Sequence, residues 1–197
     1  MKNGILQLAA KIPVPEKGQR IVVGIDGLSR SGKTTIGNFL HGHYVEQGVP
    51  AVLIHLDDYI VERKRRYGTG TEPWKEYYGL QWDVEQLKRE LFAPLRTANG
   101  LSLAAYDEAT DQHRIERIAL PEQAIIIIEG VFLQRDEWRA HFDFLCYVDS
   151  PRGKRFSRES PGTQKKLEKF EQRYWKAEAH YLETAKPKAS ADHLISN

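Results

Sequence analysis

Eight consecutive residues restrict the fold of this chain more than any other feature. They are Gly27-Leu28-Ser29-Arg30-Ser31-Gly32-Lys33-Thr34, and they match the pattern G-x-x-x-x-G-K-[ST] at every defined position. A β-branched run precedes them at 21–25, and a helical pattern follows them to about residue 45. A strand, a glycine-containing loop and a helix in this order form a phosphate-binding loop, because the loop N–H groups and the start of the helix attract an anion.

Further short apolar runs predict the rest of the sheet. They lie at 51–56, 124–128 and 142–148, and a possible last short strand is predicted at 192–195. Apolar runs without alternation are typical of parallel strands that are buried on both faces. The chain is therefore expected to form an α/β P-loop NTPase fold, with a central parallel sheet, helices on both faces, and a small lid and flap.

The segments between these runs are less regular. We expect an irregular stretch over 57–78, a helix from the N-cap Asp83 to about residue 96, a strand pair at 101–106 and 113–120, and a long helix over 164–184. The basic run Arg63-Lys64-Arg65-Arg66 has two interpretations that the sequence leaves open. It is either a solvated face or part of a mobile flap that attracts an anionic acceptor.

Composition excludes several classes of protein. The 29 lysines and arginines nearly balance the 27 aspartates and glutamates, so the net charge of +2 does not indicate a nucleic-acid-binding protein. The single cysteine, Cys146, excludes an internal disulfide and fits a reducing compartment. No apolar stretch approaches the ~20 residues that cross a bilayer. We expect a cytoplasmic protein without a membrane or nucleic-acid partner, and homo-oligomer formation stays open.

Acidic residues follow the predicted strands. Asp26, Asp57, Glu129 and Asp149 each come at or just after the carboxyl end of one, where parallel sheets bind their ligands. The P-loop pattern predicts ATP and Mg²⁺ as cofactors, held by residues 27–34 together with Thr35.

Particular roles in catalysis follow from these positions. Lys33 would reach the β- and γ-phosphates, the Thr34 hydroxyl would bind Mg²⁺, and Glu129 would hold the ion directly or through water. Asp57 would orient the acceptor hydroxyl and accept its proton, with Asp58 as the reserve candidate. The guanine-reading pattern Asn-Lys-x-Asp is absent from the sequence, which argues against a GTPase.

Several short strings together resemble the uridine kinase family, which is grouped with phosphoribulokinase, pantothenate kinase and nicotinamide riboside kinase. They are Gly24 to Thr35, Asp57-Asp58-Tyr59, Tyr106-Asp107, Ile128-Glu129-Gly130-Val131 and the stretch Ala191-Asp192-His193-Leu194-Ile195. The resemblance implies a P-loop kinase domain over 21–197, with a lid at about 150–163. It implies an ATP-dependent phosphotransferase whose acceptor is an alcohol group of a small molecule. The helical spacing of apolar residues over 5–12 and the prolines that follow separately predict an N-terminal helix and linker over 1–20.

The same resemblance implies roles for individual residues. Asp57 would be the base and would also bind Mg²⁺, and Glu129 would be a further Mg²⁺ ligand. Arg152, Arg155 and Arg158 recur every three residues after the strand at 142–148, and they would form a lid over the phosphates, with Arg155 and Lys33 acting in catalysis. Contacts to the acceptor are expected from Asp58, Tyr59, Tyr106 and Asp107.

The chain departs from the family pattern where the acceptor is held. Tyr77, Tyr78 and Gly79 stand where uridine kinases carry a ribose-binding aspartate motif, and Asp111 stands where a base-contacting histidine is expected. The acceptor could therefore be another metabolite, such as a vitamin precursor or a sugar phosphate. A non-catalytic ATP-binding regulatory or assembly protein is the rival interpretation. No catalytic role is assigned to His55.

Overall fold

A computed structural model describes residues 2–197, and side chains are described from residue 4 onward. Its centre is a sheet of five strands in the order β2-β5-β1-β6-β7, and every neighbouring pair is parallel. The predicted α/β fold with a central parallel sheet is confirmed. The strands are β1 (Arg20–Asp26), β2 (Ala51–His55), β5 (Ala124–Gly130), β6 (Phe144–Asp149) and β7 (His193–Ser196).

The two central strands show why apolar runs were a good predictor. Every residue of β1 and β5 is buried. Successive side chains of a strand point to opposite faces, so Ile125 and Ile127 join one hydrophobic cluster, whereas Ile126 and Ile128 join the other. A sheet covered in this way needs apolar residues at nearly every position.

One face of the sheet is covered by α1 (Lys2–Lys11) and α2 (Lys33–Glu46). Ile5, Leu8 and Ile12 from the N-terminal segment pack in the same cluster as Ile36 and Leu40 of α2. The N-terminal segment thus contributes directly to the core beneath the strand that leads into the P-loop.

The opposite face is covered by several shorter helices. Part of the stretch that we expected to be irregular, 57–78, is helical, so that expectation was wrong. The helical pattern was hidden because α4 buries aromatic rings rather than aliphatic side chains, with the Tyr77 ring 5.5 Å from that of Phe132. The helices here are a 3₁₀ turn (Leu56–Tyr59), α3 (Arg63–Arg66), α4 (Pro73–Leu80), α5 (Val84–Leu87) with its extensions Lys88–Phe92 and Ala93–Arg96, and α6 (Asp136–Arg139).

Asp83 caps α5 as predicted, since its side chain accepts a hydrogen bond from the Gln86 N–H at 3.1 Å. The strand pair is also confirmed. Strands β3 (Gly100–Asp107) and β4 (Gln112–Ala119) form an antiparallel hairpin.

The long helix predicted over 164–184 is divided into pieces. Lys166 departs from helical geometry, with φ −94° and ψ 43°, and five residues beyond Lys169 form a π-helical turn. The elements of this region are α7 (Arg152–Ser157), α8 (Pro161–Gln164), α9 (Leu167–Lys169), the π turn Phe170–Tyr174, α10 (Trp175–Thr184) and α11 (Pro187–Ser190). Over residues 2–197, no helix has both the length and the apolar character needed to cross a membrane.

Candidate active site

The P-loop connects β1 to α2 at the carboxyl edge of the sheet. Gly27 and Gly32 both have positive φ angles, of 154° and 105°. A Cβ atom on Gly27 would lie 2.7 Å from the Val148 carbonyl oxygen, and one on Gly32 would lie 2.5 Å from the Asn197 side chain. The loop therefore passes between its neighbours only because both positions are glycine.

Polar groups of the loop face inward. Lys33 is buried, and its Nζ donates to the Leu28 carbonyl oxygen at 3.2 Å, so the ammonium lies against the loop itself. The Ser31 hydroxyl is buried and has no hydrogen-bond partner within the described part of the chain. A buried donor without a partner is costly, which fits a loop that is completed by an anionic ligand.

Glu129, at the end of β5, lies directly beside the start of α2. Its Oε1 accepts hydrogen bonds from the Thr34 hydroxyl at 2.9 Å and from His55 Nδ1 at 2.8 Å. Among the described residues, no cluster of three or more histidine, cysteine, aspartate or glutamate side chains could hold a metal ion by itself. A hydroxyl and one or two carboxylates instead suit Mg²⁺, which keeps several waters and binds substrate phosphates.

His55 was given no role because, in the sequence, a histidine at the end of a strand does not differ from an ordinary surface or core residue. It is the last residue of β2, and the parallel register pairs it with Glu129. The strand pairing therefore explains the contact. Aligning the predicted strands β2 and β5 in parallel register would have placed His55 beside Glu129.

Asp57 follows β2 by two residues and faces the cleft. It is exposed there, yet the surrounding protein removes much of its hydration, and this desolvation raises the pKa of its carboxyl group. The positive charge of Lys33 opposes the rise, whereas the charges of Glu129 and Asp58 add to it. Lys33, Asp57 and Glu129 are thus close enough to influence one another, as the strand ends predicted.

The cleft beside this group has a volume of about 1000 Å³. It extends from the P-loop to the flap formed by α3 and the β3–β4 hairpin. The predicted residues that line it are Ser29, Arg30, Gly32, Lys33, Thr34, Thr35, Asp57, Asp58, Tyr106, Glu129 and Arg158. The predicted residues Gly27, Leu28 and Ser31 do not line it.

Arg155 does not line the cleft, in contrast to its predicted place over the phosphates. Its guanidinium group is buried and makes two hydrogen bonds to Glu178, at 2.8 and 2.9 Å. It also donates to the Ser29 carbonyl oxygen at 2.9 Å. Because its charge is already neutralised, Arg155 holds the P-loop in position rather than reaching into the cleft.

Three other predicted residues also lie outside the cleft. Arg152 stacks on Trp175, with its guanidinium carbon 4.9 Å from the ring centre. The buried Tyr59 donates its hydroxyl to Glu116 at 2.7 Å, and Asp107 accepts from the Ala109 N–H in the hairpin turn. Each of these contacts stabilises the flap or the lid without facing the P-loop.

Asp26 is a buried structural carboxylate rather than a rim residue. It accepts hydrogen bonds from the N–H groups of Gly27 and Leu133, the side-chain amide of Gln134 and the hydroxyl of Tyr181. Burial raises its pKa, and these donors partly offset that rise. Asp149 forms an ion pair with Lys188 at 2.7 Å. Of the four strand-end carboxylates, Asp57 and Glu129 are the two that face the cleft.

The sheet order, the glycine loop and the adjoining carboxylates define a P-loop nucleotide-binding fold. No family model matches the chain. A solved structure of a possible uridine kinase from Bacillus stearothermophilus is 46% identical, with a TM-score of 0.88 and coverage of 98% of both chains. The chain belongs to the uridine kinase-like family of P-loop kinases.

More distant proteins agree with this placement. A uridine kinase from Proteus mirabilis is 28% identical over 135 residues, and one from Borrelia duttonii is 29% identical over 148 residues. These matches cover 68% and 70% of this chain but only 63% and 64% of the relatives. A D-glycerate 3-kinase from Cryptococcus neoformans shares the fold at 11% identity and a TM-score of 0.56, over 88% of this chain and 85% of that one.

Proposed function

We propose that this protein is an ATP- and Mg²⁺-dependent phosphotransferase that acts on a hydroxyl group of a small metabolite. The observation that carries the proposal is the convergence of Lys33, Thr34, Glu129 and Asp57 at one end of a cleft of about 1000 Å³. Such a cleft is large enough for a nucleotide and a small acceptor together. The names of the curated relatives make uridine the first acceptor to test.

The P-loop residues bind the nucleotide in this proposal. When bound, magnesium ATP supplies the phosphoryl group that is transferred. The loop N–H groups and Lys33 would hold its phosphates, and Lys33 would give up its hydrogen bond to the Leu28 carbonyl oxygen to do so. The Thr34 hydroxyl and Glu129 Oε1 lie 2.9 Å apart, and both would bind the metal ion. The hydrogen bond from His55 holds the Glu129 carboxylate in place.

Asp57 is the proposed proton acceptor. Desolvation raises its pKa, which makes its carboxylate a stronger base than a fully hydrated aspartate. It lies near Lys33 without a hydrogen bond that would occupy its oxygens among the described residues. The acceptor hydroxyl can therefore donate its proton to Asp57 as its oxygen bonds to the γ-phosphorus, and the bond from that phosphorus to the β,γ-bridging oxygen would break so that ADP leaves.

Residues after β6 close over the loop. Arg158 donates to the Arg30 carbonyl oxygen at 2.7 Å, and Arg30 forms an ion pair with Glu159 at 3.1 Å. Arg158 lines the cleft and carries no carboxylate partner of its own among the described residues. Of the three predicted lid arginines it is the one that lines the cleft, so it would neutralise charge on the phosphates in the role predicted for Arg155.

The test is Asp57→Asn, with Asp136→Asn as a matched control on an exposed surface. We expect Asp57→Asn to lower acceptor-stimulated ADP production by about 10²- to 10⁴-fold. ATP affinity, measured by calorimetry, should change little. The control should match the parent chain in both measurements.

Two outcomes would contradict the proposal. If Asp57→Asn keeps full turnover, Asp57 is not the base. If the parent chain binds ATP but releases no ADP with uridine, other nucleosides, vitamin precursors or sugar phosphates, a regulatory ATP-binding role is favoured.

A further inference from the structure

The basic run of the flap separates into two groups in the structure. Arg63 and Arg65 point outward, where Arg63 donates to the Glu108 carbonyl oxygen and Arg65 pairs with Asp83 at 2.8 Å. Arg66 turns inward, is only 7% exposed, and lines the cleft. The inward arginine is the one whose charge a ligand can reach.

The contacts of Arg66 leave part of its guanidinium group unused. Nε donates to the Val61 carbonyl oxygen at 2.8 Å, and one terminal nitrogen donates to the Tyr106 hydroxyl at 3.0 Å. The other terminal nitrogen, Nη1, makes no hydrogen bond, and no carboxylate lies within 4.0 Å, among the residues that the structure describes. Tyr106 in turn donates to Asp111, the acidic group nearest in this network.

Two other buried arginines are paired with carboxylates, whereas the buried Arg20 has no carboxylate partner but uses all three of its guanidinium nitrogens on backbone carbonyl oxygens. Arg155 is paired with Glu178 at 2.8 Å, and Arg173 is paired with Glu76 at 2.8 Å. A buried charge without a counter-ion is costly, and chains usually provide the partner. Arg66 is therefore expected to receive its counter-ion from a ligand.

A second cation stands on the same wall. Lys169 lies at the mouth of the cleft, with Nζ 5.2 Å from the centre of the Tyr67 ring and 5.5 Å from that of Tyr174. It has no ion-pair partner among the described residues. The guanidinium carbon of Arg66 is 5.1 Å from the same Tyr67 ring, so one tyrosine lies beside both cations.

The potential around Tyr67 is positive. Burial by itself would raise the pKa of its hydroxyl, but the charges of Lys169, Arg173 and Arg66 outweigh burial and lower it. The other carboxylates that line this part of the cleft, Asp58 and Glu108, are exposed and pair with neither cation. An anion would thus be attracted to this wall.

Aromatic rings lie between Lys169 and Asp57. Burial raises the pKa of the Tyr77 hydroxyl, and the charge of the nearby Asp57 adds to that rise. The Tyr77 ring lies 4.9 Å from that of Tyr174, and Lys169 Nζ lies 5.5 Å from the centre of the Tyr174 ring. Lys169 and Asp57 thus line the same cleft with two tyrosine rings between them.

We propose that the phosphoryl acceptor carries an anionic group, a phosphate or a carboxylate, which Arg66 and Lys169 bind several bonds away from the hydroxyl that Asp57 faces. This inference rests on the proposed kinase function, since it names the class of acceptor. Arg66 would donate from Nη1, and Lys169 would supply the second charge. The tyrosine rings between them would pack against the carbon skeleton of the acceptor.

The test compares matched acceptors with and without the anion. The probes are D-ribose and D-ribose 5-phosphate for the phosphate, D-sorbitol and D-gluconate for the carboxylate, and uridine as a neutral nucleoside. Acceptor-stimulated ADP release is measured with magnesium ATP. Binding is measured separately, by calorimetry in the presence of a saturating non-hydrolysable ATP analogue, which keeps the probes out of the P-loop.

The variants are Lys169→Met and Arg66→Met, with Arg66→Lys as the charge-preserving variant and Lys165→Met as the matched control. Lys165 is exposed and lies outside the cleft. We expect one anionic probe to bind at least tenfold more tightly than its neutral partner. Lys169→Met and Arg66→Met should each reduce that preference by about tenfold, whereas Arg66→Lys retains part of it and Lys165→Met leaves it unchanged.

The two measurements separate the two proposals. Preferential binding of an anionic probe, lost in Lys169→Met, without ADP release from any probe supports the anion site and contradicts kinase function. Turnover of uridine with no preference for any anionic probe overturns the anionic acceptor and leaves kinase function standing. If neither anion binds and nothing turns over, both proposals are wrong.

Discussion

The ion pair between Arg155 and Glu178 permits a quantitative prediction about the P-loop. The two side chains are 6% and 4% exposed and share two hydrogen bonds, at 2.8 and 2.9 Å. Glu178→Gln keeps the size but leaves the guanidinium charge buried without a counter-ion. Loss of one partner of a buried pair costs about 3–5 kcal/mol, and the retained amide acceptor favours the lower end of that range. For a chain of this length, about 3 kcal/mol corresponds to roughly 6–12 °C in Tm.

The same substitution should also affect nucleotide binding. Arg155 donates to the Ser29 carbonyl oxygen, so a displaced guanidinium group loosens the P-loop. A lost hydrogen bond of about 1 kcal/mol corresponds to roughly fivefold weaker ATP binding. Urea unfolding gives the change in stability, and calorimetry gives the change in ATP affinity.

Glu76→Gln is the matched control for this prediction. It breaks another buried pair, that of Glu76 with Arg173, which does not contact the P-loop. Glu76→Gln should lower the free energy of unfolding by about as much as Glu178→Gln, because Glu76 also accepts two hydrogen bonds from Thr69. It should leave the affinity for ATP unchanged. A loss of less than about 1 kcal/mol for Glu178→Gln, or equal losses of ATP affinity in both variants, would refute this reasoning.

The remaining predictions concern backbone space and burial. Gly27→Ala should lower the free energy of unfolding by about 1–3 kcal/mol, since its Cβ would lie 2.7 Å from the Val148 carbonyl oxygen at a positive φ. Gly42→Ala, in the middle of α2 with open space around it, should raise that free energy by about 0.5–1 kcal/mol, and the opposite order in urea unfolding would contradict both. Burial raises the pKa of the Cys146 thiol to about 12, so thiolate is scarce at mildly alkaline pH. An aromatic disulfide reagent should label Cys146 in urea but not in the native protein, and rapid native labelling would show that the β6 core opens.

Local pattern was sufficient to predict most of the architecture. The run Ile125 to Ile128 identified a strand buried on both faces, and the defined positions of the P-loop identified the strand–loop–helix unit. These features succeed because each depends on residues that are adjacent in the chain. The helix α4 was missed because it depends on residues that are distant in the chain. The Tyr77 ring is buried against Phe132, and no neighbour of Tyr77 in the sequence indicates that contact.

The candidate site was likewise predicted only in part, because some of its features depend on residues that are distant in the chain. Position at a strand end was enough to select Asp57 and Glu129 as candidates for the cleft, but it selected Asp26 and Asp149 equally. What separates them is the set of partners brought from distant parts of the chain, such as Tyr181 for Asp26. Sequence does not show which donors will surround a carboxylate.

The amino-acid sequence is enough to establish a phosphate-binding loop in a parallel α/β sheet, because a glycine pair, a lysine and buried β-branched runs can satisfy backbone and solvation requirements in few other ways. Which charges remain available for ligands depends on the folded structure. Arg155 and Arg66 look alike in sequence, but folding brings Glu178 to the first and no carboxylate to within 4.0 Å of the second among the described residues. The availability of a charge depends on its distance from other charges, and folding sets those distances.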